Sequence, residues 1–199
     1  MGFGMTRYLL CGGNDRAYSE FVKNILEEIY HHSSHPKVLS CMFAVSDTEI
    51  TSKFQSWSGW WQGNGARFKE YVCADRSNFV GQIREADTIF FHGGNNDLLF
   101  NFLNTIPDVE RYFDGKLVIG SSAGANWLSK AFFSRSAGGW RKGSGIVPLS
   151  IMVHYGVSEE DSPNENWEYY ENKITSFNGD KSQDIVRIKE GQIIAYENH

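Results

Sequence analysis

The sequence has no long apolar run, little cysteine and no excess of basic charge. No segment contains the roughly 18 consecutive apolar residues that a membrane-spanning helix needs, and the apolar run near the N-terminus is too short for a signal peptide. Lys and Arg number 19 against 24 Asp and Glu, which gives a net charge of −5, whereas general nucleic-acid binders usually carry a basic excess. We therefore expect a cytoplasmic protein that binds neither membranes nor nucleic acid.

Cysteine is limited to Cys11, Cys41 and Cys73, which are far apart in the sequence. Neither a disulfide framework nor a metal site is expected from three cysteines with this spacing. Each lies in an apolar segment that resembles a strand, and such residues are typical of reduced thiols in the core of a cytoplasmic protein.

Short apolar segments alternate with amphipathic ones along the chain, without internal repeats or linkers. This alternation is typical of a three-layer α/β fold, in which helices cover both faces of a mostly parallel sheet. The length favours a single domain over residues 1–199. Strands are predicted at 7–11, 37–43, 70–73, 88–92 and 116–120, and helices at 18–30, 78–86, 97–103 and 109–113. The segment 48–69 is predicted to be helical in part, with breaks at Gly59 and at 63–65.

The fifth predicted strand is followed by a Gly-x-Ser-x-Gly pattern that runs from Gly120 to Gly124. A strand, this pattern and a helix in succession are typical of a nucleophile elbow, whose tight turn requires small residues two positions before and after the serine. Ser122 is therefore the candidate nucleophile, and the backbone amide of Ala123 is a candidate oxyanion donor. The alternative is an ordinary helix for which Ser122 is the N-cap.

A glycine pair follows the fourth predicted strand, in the segment 92–96. Because ligands bind beyond the carboxyl ends of parallel strands, this loop is expected beside the elbow. Glycine lets the backbone approach a ligand closely, so the amide of Gly94 is the candidate second oxyanion donor. The alternative is a plain turn, with Asn95 or Asn96 capping the next helix.

A hydroxyl nucleophile needs a base within hydrogen-bond reach, and two of the six histidines are candidates. His154 ends an apolar segment downstream of Ser122, which is the chain order of this class of hydrolase. His92 lies beside the glycine pair. A histidine at a strand end is often structural, but the elbow favours His154 as the base, with His92 as the alternative.

Together these segments resemble the peptidase E family of serine peptidases, which includes aspartyl dipeptidase and, more distantly, cyanophycinase. Residues 89–96 are similar to the family's apolar strand and Gly-Gly-Gly-Asn-Thr loop, with His92 in place of the first glycine. Residues 116–126 are similar to its elbow segment. Residues 153–155 resemble its Pro-His-Phe or Pro-His-Tyr motif, and 188–194 resemble its late Pro-Glu-Gly strand pair.

The resemblance covers most of the chain from about Asp87 onward. It implies the flavodoxin-like sheet that the family shares with class I glutamine amidotransferases. It also implies that Ser122 is the nucleophile and His154 the base, with Gly94 and Ala123 as oxyanion donors. The glutamine amidotransferases have cysteine at the elbow, so serine argues against glutaminase chemistry.

The peptidase E family has its third catalytic residue, an acid, between the nucleophile and the histidine. Here residues 116–158 contain no Asp or Glu. The carboxylate that orients His154 must therefore come from elsewhere, or a backbone carbonyl or neutral side chain holds the ring. Loss of such a carboxylate can lower the rate by about 10⁴. The candidates for this role are Glu159, Glu160, Asp161 and Glu190.

The same acid-free segment contains five Lys or Arg residues. They would create a positive field suited to an acidic substrate, which agrees with the aspartyl dipeptides that the resemblance implies. The candidate substrate-binding residues are His92, Asn95, Asn126 and Arg141. The aromatic residues of 54–68, Trp57, Trp60 and Trp61 among them, either line a pocket or cover the sheet.

The sequence thus favours a serine-type peptidase or amidase that hydrolyses a small acidic peptide through an acyl-Ser122 intermediate. We expect no metal or organic cofactor, and a monomer or homodimer. One alternative is a catalytically inactive relative that binds an acidic ligand or a partner, which the missing carboxylate and His92 favour. Another is an acyl-ester hydrolase with the same nucleophile, since the pocket walls decide the leaving group.

Overall fold

The first two thirds of the chain form alternating strands and helices, as the apolar pattern predicts. The computed structural model describes residues 5–157 and 167–197. The strands are β1 (Arg7–Cys11), β2 (Lys37–Cys41), β3 (Glu70–Cys73), β4 (Thr88–Phe91) and β5 (Leu117–Ser121). The helices are α1 (Ser19–His32), α2 (Asp47–Gly63), α3 (Phe79–Glu85) and α4 (Asn96–Leu103). Short 3-10 turns lie at Asp15–Ala17, Arg76–Asn78 and Val109–Phe113, the last at a segment predicted to be a helix.

These strands build a six-stranded sheet in the order β10-β1-β5-β4-β2-β3, in which β10 is Ile193–Glu197. All neighbours are parallel except β10, which is antiparallel to β1. In the register of the central strands, Cys11 pairs with Ser121, and Phe91 pairs with Gly120. The carboxyl ends of β1, β4 and β5 therefore meet at one edge, directly before the loops that carry the predicted site.

Helix α2 runs through Gly59 without a break, which corrects the predicted interruption. A Cβ at Gly59 would meet no atom within 4 Å, and a glycine in a helix costs only about 1 kcal/mol relative to alanine. A capping box between Ser46 and Glu49 fixes the N-terminus of the helix. Trp61, which is 1% exposed, anchors its C-terminal half in the core. Packing therefore outweighs the low helix propensity of Gly59, and the helix ends at Gly63.

Beyond the elbow the chain forms a second sheet, which the sequence analysis did not predict. The short helix α5 (Ala123–Leu128) leads into β6 (Ser129–Ser134), β7 (Gly139–Lys142), β8 (Val147–Val153) and, later, β9 (Ile185–Ile188). Their order is β7-β6-β8-β9, with β7 antiparallel and the other pairs parallel. Helices α6 (Trp167–Asn172) and α7 (Ile174–Asn178) precede β9, and Ile174 packs with apolar residues of this sheet.

The central strands of the first sheet are buried on both faces. On one face Phe90 packs with Phe21 of α1 and Trp61 of α2. On the other face Phe91 lies 5.2 Å from Trp127 of α5, measured between ring centroids. This arrangement confirms the predicted α/β fold, in which helices cover both sides of a mostly parallel sheet.

The cysteines are free thiols, as the sequence predicts. Cys11 and Cys41 are buried in β1 and β2, and Cys73 is half-buried at the end of β3. Burial raises the pKa of both the Cys11 and the Cys41 thiol well above the ordinary value. Within 5–157 and 167–197, no helix has both the length and the apolar character needed to cross a bilayer.

Candidate active site

A cavity of about 410 Å³ opens at the edge where β1, β4 and β5 end. Parallel α/β sheets bind ligands at this edge, where their loops converge. The cavity is lined by Ser122, by His154 and by the glycine pair that follows β4. Its other lining residues are Asn14, Asp15, Arg16, Met42, Val45, Lys53, Trp57, His92 and Ser121.

Ser122 occupies a strained turn between β5 and α5. Its φ of 48° and ψ of −106° lie outside the regions that non-glycine residues ordinarily adopt, and such strain is concentrated at functional sites. The Ser122 side chain makes no capping hydrogen bond to α5, which argues against an ordinary N-cap. Its Oγ instead lies 2.9 Å from His154 Nε2.

The two glycines of the elbow allow β5, α5 and β4 to approach closely. A Cβ at Gly120 would lie 2.6 Å from the carbonyl carbon of Gly124. A Cβ at Gly124 would lie 2.8 Å from the Cβ of Phe91. Any larger residue at either position would force the turn open, because real Cβ atoms do not approach other atoms so closely.

The second sheet brings His154 to the edge of the first sheet. His154 follows β8 directly, with a φ of 54°, and its backbone N–H donates to the carbonyl of Gly12 at 3.0 Å. The imidazole packs on Gly13, where an added Cβ would lie 2.6 Å from Nε2. Contacts with the loop after β1 therefore fix the ring beside Ser122.

Glu190 is the acid that the structure places against this histidine. Its Oε1 lies 2.8 Å from His154 Nδ1, and its Oε2 accepts hydrogen bonds from Asn14 Nδ2 at 2.9 Å and from the Tyr18 hydroxyl at 3.3 Å. Partial burial acts to raise the pKa of Glu190, but the bonds from Asn14 and His154 outweigh it and hold the pKa below its ordinary value. The carboxylate is thus ionised at neutral pH.

The other three candidate acids, Glu159, Glu160 and Asp161, lie outside the described residues. Glu190 lies in the turn between β9 and β10. Since β9 belongs to the second sheet and β10 to the first, this turn passes between the two sheets, which is where His154 is held.

The two candidate oxyanion donors, Gly94 and Ala123, belong to the loop after β4 and to the start of α5. Gly93 is so close that a Cβ there would lie 3.1 Å from the Cβ of Ser122, and Gly94, with a φ of 145°, lines the same cavity. Ala123 is the first residue of α5, and the first amides of a helix have no partner within it. Gly94 therefore lies in the cavity that Ser122 lines, and Ala123 follows Ser122 in the chain; the role of their amides as oxyanion donors stays a prediction.

Of the four predicted substrate-binding residues, the structure places only His92 in the cavity lining. Asn95 accepts hydrogen bonds from the first amides of α4, which is the alternative role of a helix cap. Asn126 is buried and donates to Asn96 Oδ1 at 3.1 Å. Arg141 forms an ion pair with Asp97 at 2.7 Å. Each of these three side chains thus has a structural partner, and none of the three is among the lining residues.

The positive charge at the cavity comes from residues that the sequence analysis did not identify. None of the five cations of the acid-free segment is among the lining residues, whereas Arg16 and Lys53 are. The guanidinium of Arg16 lies 5.0 Å from the ring centre of Trp57 and donates to Ser56 Oγ at 2.8 Å. Trp57 itself lines the cavity, whereas Trp61 is buried in the core. Of the two alternatives for the aromatic residues of 54–68, lining a pocket is therefore correct for Trp57 and covering the sheet is correct for Trp61.

Asp15 is a second unanticipated residue of the site. Its side chain is buried, its Oδ2 accepts a hydrogen bond from Ser121 Oγ, and its Oδ1 has no hydrogen-bond partner among the described residues. Burial raises the pKa of Asp15 to about 6, against the opposing effect of hydrogen bonds from Ser121 and the Gly13 amide. The signal for this loop was present in the sequence, because Gly-Gly-Asn-Asp follows the first strand at the ligand-binding edge.

Comparisons with known proteins identify a family and a similar fold. The sequence profile of peptidase family S51 matches residues 9–199. The fold is similar to the crystal structure of a provisionally named peptidase E protein from Listeria monocytogenes EGD-e, with a TM-score of 0.63. That similarity covers 98% of this chain and 95% of the other, at 18% sequence identity, and it concerns the fold. No curated protein matches the chain.

Proposed function

Since the chain belongs to peptidase family S51 and is thereby a serine-type peptidase, as its resemblance to peptidase E implied, we propose that it hydrolyses a small acidic peptide or amide through an acyl-Ser122 intermediate. The observation that carries this proposal is the series of hydrogen bonds from Ser122 through His154 to Glu190. Both of its links, at 2.9 Å and 2.8 Å, have the lengths that a nucleophile, a base and an orienting acid require.

In the proposed reaction, Ser122 Oγ attacks the substrate carbonyl carbon while His154 Nε2 takes the hydroxyl proton. Glu190 accepts a hydrogen bond from Nδ1–H, which fixes the tautomer of the ring and stabilises the imidazolium that forms. His154 then gives its proton to the departing amine, which leaves Ser122 acylated. A water molecule, deprotonated by His154, attacks the acyl group, and the acid product leaves as Ser122 regains its proton.

The amides of Gly94 and Ala123 would stabilise the negative charge that develops on the carbonyl oxygen. Donors fixed by the backbone act without reorganisation, and a single such donor contributes about 10²–10³ in kcat. The close approach of Gly93 to Ser122 supports this role, since it brings the loop after β4 to within van der Waals contact of the nucleophile.

A small acidic substrate is supported by the size and charge of the cavity. A volume of about 410 Å³ lies in the range of small-molecule sites. Arg16 and Lys53 line it, and a fixed positive charge attracts an anionic group. A dipeptide with an N-terminal aspartate, which the family resemblance implies, satisfies both conditions.

The proposal is tested by labelling with a fluorophosphonate, read by intact mass and peptide mapping. The wild-type protein should acquire one adduct, on Ser122 and not on the adjacent Ser121. Ser122→Ala should acquire none, and His154→Ala should react far more slowly. The same three proteins should rank identically in the hydrolysis of aspartyl p-nitroanilide. A folded wild type that acquires no adduct, or an adduct that persists in Ser122→Ala, would refute the proposed nucleophile and favour a binding protein that holds an acidic ligand.

A further inference from the structure

A series of polar side chains extends from the edge of the first sheet to the cavity. The Tyr71 hydroxyl, on β3, donates to Ser40 Oγ at 3.0 Å, and Ser40 Oγ lies 2.9 Å from His92 Nε2. Ser40 is fully buried in β2, and His92 is 3% exposed at the end of β4. Buried polar groups are retained where they are hydrogen-bonded, so this series holds the His92 ring in one position.

The direction of the Tyr71–Ser40 hydrogen bond favours one tautomer of His92. Since Ser40 Oγ accepts from Tyr71, the hydroxyl proton of Ser40 is free to point at His92, and Nε2 is then the acceptor. In a neutral imidazole whose Nε2 accepts, Nδ1 carries the proton. Burial, assisted by the charge of Arg16, lowers the pKa of His92 to about 3. The ring is therefore neutral at every pH at which the protein would work.

The Nδ1–H group of His92 has no hydrogen-bond partner among the residues that the structure describes. The ring is stacked on Phe90, with 4.1 Å between ring centres, and lies 4.6 Å from the ring centre of Trp57. These contacts and the hydrogen bond to Ser40 hold the ring in its place. His92 thus lines the cavity one residue before Gly93, and its Nδ1 is a buried polar group whose hydrogen-bonding capacity the described residues leave unused.

We propose that His92 is a specificity-determining residue, whose Nδ1–H donates a hydrogen bond to a carboxylate oxygen of the substrate's acidic side chain. Arg16, which packs on the same Trp57 ring, supplies the positive charge of this subsite. The inference deepens the proposed function and rests on it. A neutral donor suits the buried position, because a cation at His92 would lose its hydration without a compensating partner.

Two matched variants separate the two ring nitrogens. The amide nitrogen of His92→Asn can lie near the place of Nδ1, whereas that of His92→Gln reaches the place of Nε2. Because a hydrogen bond to a charged group contributes a factor of about 10–100, His92→Gln should raise KM for aspartyl p-nitroanilide by at least about 10-fold. Its kcat should stay within a few-fold, since binding of the ground state is lost. His92→Asn should recover most of the loss in KM.

Equal KM values for the two variants, or a loss confined to kcat, would overturn the inference. A second measurement needs no catalysis and no change at His92. In Ser122→Ala, ring ¹⁵N spectra should show His92 as the neutral Nδ1–H tautomer, and L-aspartate should shift that N–H signal. The signal of His92 is assigned by its absence from the spectrum of a His92→Asn sample. An Nε2–H tautomer, or a signal that saturating L-aspartate leaves unmoved, would refute the role of His92. If the signal shifts while fluorophosphonate fails to label the wild type, the subsite stands and the proposed chemistry fails.

Discussion

We expect the contribution of the buried Asp15 carboxyl group to the free energy of unfolding to fall as the pH rises through the mildly acidic range. Burial raises its pKa to about 6 in the folded chain, against an ordinary value of 3.8. The difference, 6 − 3.8, is about 2, and each pKa unit corresponds to about 1.4 kcal/mol, so the full effect is ~3 kcal/mol. This is a large fraction of the net stability of a typical domain, which is about 5–15 kcal/mol.

The sign follows from the number of protons that each state binds. Below about pH 4 the carboxyl is protonated in both the folded and the unfolded chain, and it contributes no pH dependence. Between about pH 4 and pH 6 the unfolded chain releases the proton while folded Asp15 keeps it, so the free energy of unfolding falls as the pH rises. Above about pH 6 both states are ionised, and the folded chain carries the whole cost of the buried charge.

The measurement is urea unfolding of the wild type and Asp15→Asn at intervals from pH 4 to pH 8. Asn cannot ionise, so the stability of the variant relative to the wild type should increase by up to ~3 kcal/mol between pH 4 and pH 7. Asp47→Asn is the matched control, because the Asp47 side chain is 82% exposed at the start of α2, and its difference from the wild type should change little. A difference that stays constant for Asp15→Asn, or that changes in the opposite direction, would refute the reasoning.

Two further predictions concern the cavity itself. Glu190→Gln keeps an acceptor for His154 Nδ1–H but removes the charge that stabilises the imidazolium, so kcat for aspartyl p-nitroanilide should fall by about 10³–10⁴ with the fold retained; an unchanged kcat would exclude Glu190 from the mechanism. The double variant Arg16→Gln, Lys53→Gln should raise KM for the aspartyl substrate and leave KM for alanyl p-nitroanilide unchanged. The control is Arg141→Gln, whose charge lies outside the cavity and which should change neither KM. Equal effects on both substrates would contradict recognition of an acidic group.

The parts of the fold that the sequence predicted are those encoded by local patterns. The strands at 7–11, 88–92 and 116–120 are continuous apolar runs, and each was placed to within about one residue. The second sheet was missed because an apolar pattern predicts that a segment is a strand but does not predict which strand it pairs with. Strand β8 pairs with β6 on one side and with β9, more than thirty residues later, on the other, and no local signal specifies such pairings.

The residues of the candidate site likewise divide into those that local patterns predict and those whose positions depend on distant contacts. Ser122 and His154 have short motifs around them, which place each at the end of a strand, and the structure brings their side chains together. Glu190 was one of four possible acids, because its place depends on a turn that joins strands of two different sheets. Arg16 and Lys53 belong to no motif, and their approach to the cavity follows from the packing of α2 and of the turn after β1.

That turn after β1 connects the energetics of the fold with the proposed chemistry. Gly13 packs against the His154 ring, Asn14 holds Glu190, and Asp15 holds Ser121 beside the nucleophile. Three consecutive residues thus contact His154, Glu190 and the residue that precedes Ser122. One of them, Asp15, has a buried carboxyl group that lowers the stability of the fold. Such destabilising groups are common where a functional site requires a particular geometry. The loop after β1 therefore connects the edge of the first sheet with the residues that the second sheet brings to the candidate site.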